Sequence, residues 1–315
     1  MSGRFRMIPG RFARVVRRTA VEIRNRTTAA RYQIVVAACT PQAGAASRLA
    51  RAIVPGLPPR PLPMYWYRKV SNFGDLLSPD IVAHVSGADP VYVDSGCRGK
   101  LLALGSLLRL ARPGDVVWGA GSLYNERLDG RGIRFLAVRG PRTRALIRGD
   151  VPEVYGDPAY LLPLIYRPKP EPRREVGVVA HYKDLDVMFT GDPSVAEIDV
   201  TCGDWRRVVD RIVACDVIIS SSLHGIIVAE AYGVPAVWVQ PTKRLRGGEF
   251  KFHDYYAATA RQRRPADWNL GIHRLVEFAE PPVPLDPGPL LQAWRRFASE
   301  STASESTSDF RDRSP

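Results

Sequence analysis

The sequence predicts an α/β protein in which two Rossmann-like domains, each built on a parallel sheet, enclose a cleft. Three observations predict it: short apolar runs alternate with amphipathic ones, several runs are apolar on both faces, and two proline-rich joints divide the chain. At 315 residues and 45% hydrophobic composition, the chain is long enough to bury a full core.

Residues 1–60 are predicted to form a basic amphipathic segment followed by a proline-rich linker. Residues 1–51 hold eleven arginines and one acid, Glu22, so they carry +10 of the formal net charge of +13. A nucleic-acid-binding domain would be expected to carry its basic residues on the folded body, which here has a net charge of only +3. We therefore predict no nucleic-acid partner.

The segment from Gly10 to Tyr32 places apolar residues on one side of a helix, with arginines around them. This pattern is typical of a helix on an anionic membrane surface, and also of a solvated basic tail, a helix docked on its own domain or a mitochondrial transit peptide. No apolar run reaches the length of a membrane span, and no signal-peptide pattern is present. We expect a cytoplasmic protein that contacts the inner face of the plasma membrane through residues 1–30.

The first α/β domain is predicted at residues 61–168. Its candidate strands are 90–94, 115–121, 133–138 and 152–156. A helix is expected after the third strand, with Pro141 at its first position and Gly149 at its end. Five prolines between residues 55 and 63 are expected to break regular structure.

The second domain is predicted at residues 169–283, and the proline-rich joint at 166–174 separates its strands and helices from those of the first. Its candidate strands are 175–182, 197–201, 216–221 and 235–240, with helices at 204–215 and 223–233. A C-terminal helix is expected at 284–299. The polar tail at 300–315 is expected to be disordered.

The first candidate site follows the strand at 133–138. Arg139, Arg142 and Arg144 crowd the start of the next helix, where cations are normally unfavourable. An anion at that helix start would explain them, since ligands of open α/β sheets bind beyond the carboxyl ends of the strands. The alternative is that Arg142 and Arg144 point into solvent.

The second candidate site is the stretch SSSLHG at 220–225. Ser221 or Ser222 is expected to cap the helix that begins near Leu223. His224 then lies in the first helical turn, where it can donate to an anion or exchange a proton with a substrate, and Gly225 leaves room for a ligand. The alternative is a histidine that only completes the strand end.

Other candidates lie in turns that face the same cleft. Asn72, Gly74 and Asp75 precede a helical run, and Asp75 is expected to cap that helix, to bind a sugar hydroxyl or to act as a base. The remaining candidate ligand contacts are Gly121, Ser122, His181 and Lys251.

Several common motifs are absent from the sequence. There is no serine nucleophile elbow, GxxxxGK[ST] loop, HExxH site or complete GxGxxG fingerprint. The four cysteines are widely spaced and form no CxxC pair, which predicts neither a zinc site nor a disulfide framework. We predict no metal.

Seven segments in collinear order carry a resemblance to a known family. They are NFGDLLSPDI, KLLALGSLLRLARPGDVVWGAGS, LAVRGPRTRALI, VYGDPAYLLPLIY, VGVVAHYKD, ISSSLHGIIVAEAYGVPAVWV and FKFHDYYAATAR, within about residues 65–262. They resemble the polysaccharide pyruvyl transferase family, and its short exopolysaccharide-type members in particular.

The resemblance implies a two-domain fold similar to that of GT-B glycosyltransferases. It implies transfer of pyruvate from phosphoenolpyruvate to two hydroxyls of a sugar as a cyclic ketal, with release of phosphate. Phosphoenolpyruvate is then a co-substrate, no cofactor is needed, and the partner is a saccharide acceptor. The basic N-terminus would hold the enzyme near lipid-linked sugars.

The resemblance also implies roles for individual residues. The family's arginine after the central strand of the first half matches Arg139, and its Leu-His-Gly element matches Leu223, His224 and Gly225. We expect His224 to act as acid or base, Arg139 as a charge clamp and Asp75 as the contact to the acceptor hydroxyl.

One position departs from the family pattern. Many members carry arginine immediately before Leu-His, whereas this chain has Ser222. One contact to phosphoenolpyruvate is then either missing or supplied by Lys251, Arg68 or Arg142.

Two rival functions are compatible with the sequence. A GT-B-type glycosyltransferase that uses a nucleotide sugar would need a carboxylate for the ribose, and Glu230, two turns inside a helix, is poorly placed for it. A non-catalytic protein that binds a glycan or an anion is supported only by Ser222.

Overall fold

The computed structural model describes residues 60–311, with side chains described as far as residue 300. The amphipathic segment, and with it the predicted membrane contact, lies outside the described residues. Within them, no helix is both long and apolar enough to cross a membrane.

The first large sheet has five parallel strands in the order β2-β1-β3-β4-β6. They are β1 (Pro61–Met64), β2 (Asp89–Tyr92), β3 (Leu101–Leu102), β4 (Val116–Trp118) and β6 (Arg134–Ala137). A separate parallel pair is formed by β5 (Leu128–Asp129) and β7 (Ile147–Arg148).

The second large sheet has four parallel strands in the order β11-β10-β8-β9. They are β8 (Arg174–Val179), β9 (Val195–Glu197), β10 (Cys215–Ser220) and β11 (Ala236–Trp238). The α/β class with parallel sheets is therefore confirmed, while the division into two GT-B-like domains stays a prediction.

Helices connect the strands. They are α1 (Phe73–Ser86), α2 (Pro141–Leu146), α3 (Leu162–Ile165), α4 (Leu185–Met188), α5 (Trp205–Val213), α6 (Leu223–Ala231), α7 (Phe250–Ala258), α8 (Ile272–Leu275) and α9 (Gly288–Arg311). A 3₁₀ turn at Pro158–Leu161 packs against both α1 and α6. One continuous apolar core includes residues that flank both sheets.

The C-terminal helix α9 packs on the first sheet, although it follows the second in sequence. The Trp118 indole N–H donates to the Leu290 carbonyl at 3.0 Å, and the rings of Trp118 and Trp294 lie 5.1 Å apart. The helix continues to Arg311, through residues that the sequence predicted as a disordered tail.

Strand β1 corrects the expectation that the prolines up to residue 63 break regular structure, since it lies inside the first sheet and contains two of them. Its hydrogen bonds to β2 use even-numbered residues: Arg60 and Met64 accept from β2 and the residue that follows it. Pro61 and Pro63 therefore face β3, where pairing begins only at Met64. Their missing N–H groups leave no hydrogen bond of the sheet unmade.

Two other boundaries differ from the predicted ones. The strand predicted at 152–156 is reduced to a single bridge between Val138 and Tyr155. Helix α2 begins at Pro141 as predicted but ends at Leu146, because the chain then enters β7 beside β5.

Candidate active site

A cleft of about 610 Å³ opens where the strands of both large sheets end. It is lined by Tyr65, Tyr67, Lys69, Asn72, Asp75, Tyr92, Asp94, Ser95, Gly105, Ser106, Leu107, Arg109, Leu110, Leu123, Tyr124, His181, Tyr182, Lys183, Ser222, Leu223, His224, Leu245, Arg246 and Lys251. The lining segments follow β1, β2, β3, β4, β8, β10 and β11, so both halves contribute to one site, as expected for parallel sheets.

The start of α6 places His224 at the floor of this cleft. Ser222 is the N-cap, and its Oγ accepts the Gly225 N–H at 3.4 Å, which confirms one of the two predicted caps. The Ser220 Oγ donates to the Val179 carbonyl and accepts from the Ser222 N–H, so the end of β10 is fixed before the helix begins. All residues of the helix from Leu223 to Glu230 are buried.

His224 is 9% exposed and faces a buried carboxylate. Its Nε2 lies 3.6 Å from Asp157 Oδ2, longer than a hydrogen bond. Both atoms are buried and have no hydrogen-bond partner among the described residues. The sequence identified Asp157 only as the start of a loop, whereas it caps the 3₁₀ turn through Oδ1, which accepts the Ala159 N–H at 3.0 Å.

The first turn of α1 packs directly on the imidazole of His224. Asn72, not Asp75, is the N-cap of α1, because its side chain accepts the Gly74 N–H at 3.2 Å. A Cβ added to Gly74 would lie 2.0 Å from His224 Nδ1. Gly74 is therefore required for the close approach of α1 to the histidine and does not itself line the cleft.

Asp75 lines the cleft beside His224. Burial raises the pKa of its carboxyl to about 6, against the positive charges of His224 and Lys251, which lower it. The carboxyl changes its charge near neutral pH, so it can accept a proton from a hydroxyl group at pH 7.

Lys251, in the first turn of α7, supplies a buried positive charge to the cleft. The residue is 9% exposed, and no hydrogen bond or ion pair holds its ammonium group among residues 60–300. Burial, followed by the like charge of Arg139, lowers the pKa of Lys251 to about 8. Most of these groups are protonated at pH 7 and have all three N–H donors available for an anion.

His181 presents a neutral donor to the same cleft. Burial, and then the charges of Lys251 and Lys183, lower its pKa to about 3. Its Nδ1 accepts the Lys183 backbone N–H at 3.2 Å, which assigns the ring proton to Nε2. The ring can therefore donate one hydrogen bond without becoming charged.

Arg139 lies beneath the cleft and does not line it. Its side chain is fully buried, and it donates to Asp254 at 3.0 Å, to the Ser106 hydroxyl at 2.8 Å and to the Ser122 carbonyl at 2.6 Å. The geometry thus differs from the predicted charge clamp, because the protein itself satisfies the guanidinium. Only Ser106 connects it to the cleft.

The predicted anion at the start of α2 is the protein's own carboxylate. Asp254, on α7, accepts the Thr143 N–H at 2.8 Å and the Thr143 hydroxyl at 2.6 Å in addition to Arg139. A Cβ on Gly140 would lie 2.1 Å from the Asp254 carbonyl oxygen. The arginine and the helix start therefore bind α7 to the first half, and α7 carries Lys251 into the cleft.

Three other predicted contacts in the first half lie outside the cleft walls. Arg142 is exposed, in agreement with the solvent alternative. Gly121 packs under Arg139, since an added Cβ would lie 2.4 Å from its Cζ. The Ser122 hydroxyl is buried and donates to the Tyr124 carbonyl at 2.7 Å.

Two predicted contacts in the second half have structural roles. The Ser221 hydroxyl accepts the His181 backbone N–H at 2.9 Å and so fixes the end of β8. Gly225 leaves room for protein and not for a ligand, because an added Cβ would lie 2.6 Å from both Ser220 Oγ and Val179 Cγ1. Ser222 and Leu223 do lie on the cleft wall.

Sequence reasoning missed the tyrosines of the cleft. Tyr65, Tyr67, Tyr92, Tyr124 and Tyr182 all line it. Tyr65 and Tyr67 follow β1, a strand that the sequence does not predict because its prolines favour irregular structure. Aromatic residues directly after an apolar segment were the available signal.

Glu230 is already engaged within the protein. Its carboxylate binds Arg261 through contacts of 2.8 and 2.5 Å and accepts the Tyr255 hydroxyl at 2.5 Å. It is 4% exposed and does not line the cleft. It is therefore not available to bind the ribose of a nucleotide sugar.

Comparison with known proteins identifies similar sequences. A family model described as polysaccharide pyruvyl transferase matches residues 51–242. A protein described as uncharacterized, from Acanthamoeba polyphaga mimivirus, is 30% identical over 172 residues, or 51% of this chain and 60% of that protein. The match thus spans less than two thirds of the relative's length.

Proposed function

The chain belongs to the polysaccharide pyruvyl transferase family, and we propose that it transfers pyruvate from phosphoenolpyruvate to two hydroxyls of a saccharide as a cyclic ketal. The observation that carries this proposal is Lys251: a buried cation that faces a cleft beside His224 and has no hydrogen-bond or ion-pair partner among residues 60–300, its one charged-group contact there being the Phe252 ring at 5.1 Å. An unpaired buried charge is costly, and a bound anion would relieve that cost.

The donor is proposed to occupy the floor of the cleft. Phosphoenolpyruvate carries a carboxylate and a phosphate, which suit the ammonium of Lys251, the neutral N–H of His181 and the ammonium of Lys183. All three side chains line this cleft. Lys251 would thereby supply the contact that many relatives obtain from an arginine at the position of Ser222. The two other candidates for this contact are less suitable, because Arg142 is exposed and Arg68 stacks on Tyr92 at 3.4 Å.

The acceptor is proposed to bind along the tyrosine-lined wall. Tyrosine rings offer flat apolar faces to the C–H surface of a sugar, and their hydroxyls can bond to its oxygens. The hydroxyl that reacts would then lie near Asp75. The pKa of about 6 keeps this carboxyl mostly ionised at pH 7, as a proton acceptor must be.

The proposed reaction uses two hydroxyls and releases one phosphate. Protonated His224 gives a proton to the methylene carbon of the donor, which becomes a methyl group and leaves a cation at the neighbouring carbon. The first sugar hydroxyl adds to this carbon and loses its proton to Asp75. The second hydroxyl displaces phosphate and its proton returns to His224, while Asp75 gives its proton to the departing phosphate. Both groups are then in their starting states, and the products are the ketal and hydrogen phosphate.

Arg139 is proposed to position residues and not to touch the donor. Its bonds to Asp254 and Ser106 hold α7 against the floor of the cleft, and α7 carries Lys251. Loss of Arg139 would therefore disturb the donor site through the fold.

A lipid-linked acceptor and a peripheral membrane location are part of the same proposal. They rest on the arginine-rich segment 1–30, which lies outside the described residues. Vesicle sedimentation with anionic lipid, for the full chain and for a variant without residues 1–30, tests this part. Equal binding of the two proteins would contradict it.

The decisive experiment incubates the purified full chain with phosphoenolpyruvate and a panel of free and lipid-linked saccharides. We expect release of phosphate together with the mass gain of a pyruvate ketal on the acceptor. Parallel incubations use nucleotide sugars. Turnover with a nucleotide sugar alone would favour a glycosyltransferase. Binding of phosphoenolpyruvate or a saccharide without turnover would favour a non-catalytic binding protein.

A further inference from the structure

Two unsatisfied polar atoms face each other beneath the cleft. Asp157 Oδ2 and His224 Nε2 are both buried, both lack a hydrogen-bond partner among the described residues, and lie 3.6 Å apart. Leaving two such groups unpaired is costly, and a shortening of less than 1 Å would form a hydrogen bond between them. Catalytic hydrogen bonds are often long before the substrate is bound.

We propose that Asp157 is the positioning residue of His224: its carboxylate accepts the proton on Nε2, fixes the tautomer of the ring and leaves Nδ1 to exchange a proton with the substrate. This inference rests on the proposed function, in which His224 is the proton donor. Asp157 itself does not line the cleft, so it acts through the histidine.

The local structure holds both partners in place. Asp157 is 1% exposed, and its other oxygen is fixed by the Ala159 N–H at 3.0 Å, so Oδ2 has little freedom to turn away. On the opposite side, Gly74 packs against the Cβ–Cγ–Nδ1 side of the imidazole, while Nδ1, unlike Nε2, is not a buried atom without a partner, and His224 lines the cleft. The ring is thus confined between α1 and the 3₁₀ turn.

The two carboxylates around His224 have different positions. Asp75 lines the cleft, where a substrate can reach it, whereas Asp157 lies below the cleft and is fully enclosed. A catalytic histidine that exchanges a proton on its substrate side is commonly oriented by a carboxylate on its other side. Asp157 is in the place of the orienting group.

Asp157→Asn tests this arrangement with a minimal change. The amide oxygen can still accept the Ala159 N–H, whereas the amide nitrogen would present N–H donors to Nε2. The ring proton is then expected on Nδ1, the wrong tautomer for the reaction. We expect kcat to fall about 10²- to 10⁴-fold, by analogy with the loss of an orienting carboxylate in hydrolases, with KM for phosphoenolpyruvate within about threefold of the original.

The ¹⁵N spectrum of the imidazoles supplies a readout that is independent of turnover. Five histidines are present, and His224→Gln identifies the signals of His224. We expect the neutral ring to carry its proton on Nε2 in the unmodified protein and on Nδ1 in Asp157→Asn. Asp210→Asn is the matched control, since Asp210 is a buried carboxylate that binds Tyr166 and Lys169 away from the cleft.

The outcomes separate this inference from the proposed function. A proton on Nδ1 in the unmodified protein, or an Asp157→Asn variant with unchanged kcat, would overturn the inference. The first measurement does not depend on the folding of an Asp157 variant, since only His224→Gln is needed to assign the signals. Asp157→Glu, which restores a carboxylate, is expected to recover Nε2 protonation and part of kcat. If the tautomer moves as expected but phosphoenolpyruvate never reacts, the positioning role stands and the proposed donor is wrong.

Discussion

Arg139 and Lys251 are both buried cations near the floor of the cleft, and they differ in what their charged groups contact. The guanidinium of Arg139 donates to Asp254, Ser106 and Ser122, all within the protein. The ammonium of Lys251 has no hydrogen-bond or ion-pair partner among residues 60–300 and faces the cleft. One charge is used to hold the fold together, and the other is available to a ligand.

This difference shows that position at the end of a strand does not by itself make a cation a ligand contact. Arg139 follows β6 at the carboxyl end of its sheet, where a ligand contact is expected, yet the protein supplies its anion. Lys251 is at the start of α7, and its donors have no hydrogen-bond or ion-pair partner among residues 60–300, which is why we propose it as the contact.

Arg139→Ala is expected to have the largest effect, and on stability. Removal of the guanidinium leaves Asp254 buried without its charge partner, so the free energy of unfolding should fall by about 3–5 kcal/mol. Urea denaturation followed by circular dichroism measures it. Lys251→Ala, measured in the same way, should lose much less stability, because no hydrogen bond or ion pair depends on its ammonium and only its packing against Phe252 is lost. Equal losses in both variants would erase the distinction.

Gly74→Ala is expected to reduce kcat about 100-fold without unfolding the protein. The new methyl group would lie 2.0 Å from His224 Nδ1, so the ring must move, and small displacements of catalytic groups cost this much. Gly203→Ala is the control, since an added Cβ there meets nothing within 4 Å. Steady-state kinetics on both variants checks the prediction, and full activity of Gly74→Ala would show that the contact is not needed.

Lys251→Ala is expected to raise KM for phosphoenolpyruvate about 10- to 100-fold. The loss corresponds to about 1.5–3 kcal/mol for hydrogen bonds to a charged group. Lys243→Ala, an exposed lysine outside the cleft, is the matched control. An unchanged KM in Lys251→Ala would remove this residue from the donor site.

We expect kcat/KM to decrease at alkaline pH, where the ammonium group of Lys251 loses its proton. Its pKa of about 8 means that the cation is lost as pH rises through 8, so kcat/KM should fall about tenfold per unit above that pH. Lys251→Arg, which stays protonated, should retain kcat/KM to higher pH. An alkaline limb that is identical in the two proteins would assign it to another group.

The smallest expected effect is on the acid side. Asp75 has a pKa of about 6, raised from its usual value, so its proton-accepting form appears as pH rises through 6, and kcat/KM should rise with it. The same shift means that the ionised carboxylate opposes folding. The contribution of Asp75 to the free energy of unfolding is therefore greatest at low pH, and it decreases as pH rises from the pKa of the unfolded state toward 6. Asp75→Asn should remove this loss and be slightly more stable at pH 8, measured by thermal unfolding, while it turns over more slowly. A less stable variant would contradict the assignment.

The sequence was sufficient to predict the features that depend on neighbouring residues. The parallel-sheet class, helices α5 and α6, the Ser222 cap and the position of His224 follow from periodicity and capping, and Lys251 was a candidate. These features are encoded within a few residues of chain.

Other features depend on contacts between distant segments and were missed. Asp254 meets Arg139 across 115 residues, and Asp157 meets His224 across the cleft floor, so no local pattern indicates either pair. Strand β1 was missed because two prolines contradict the average preference of strands, and only the sheet register shows that they are tolerated.

The return of α9 to the first sheet has a consequence for synthesis of the protein on the ribosome. The Trp118 indole and the Leu290 carbonyl that it binds are separated by 172 residues. At typical rates of translation, roughly 10–30 s pass between the emergence of the two. During that time the nascent first half exposes the apolar surface around Trp118, so its folding is completed only after the second half has been made, and chaperones have an interval in which to bind.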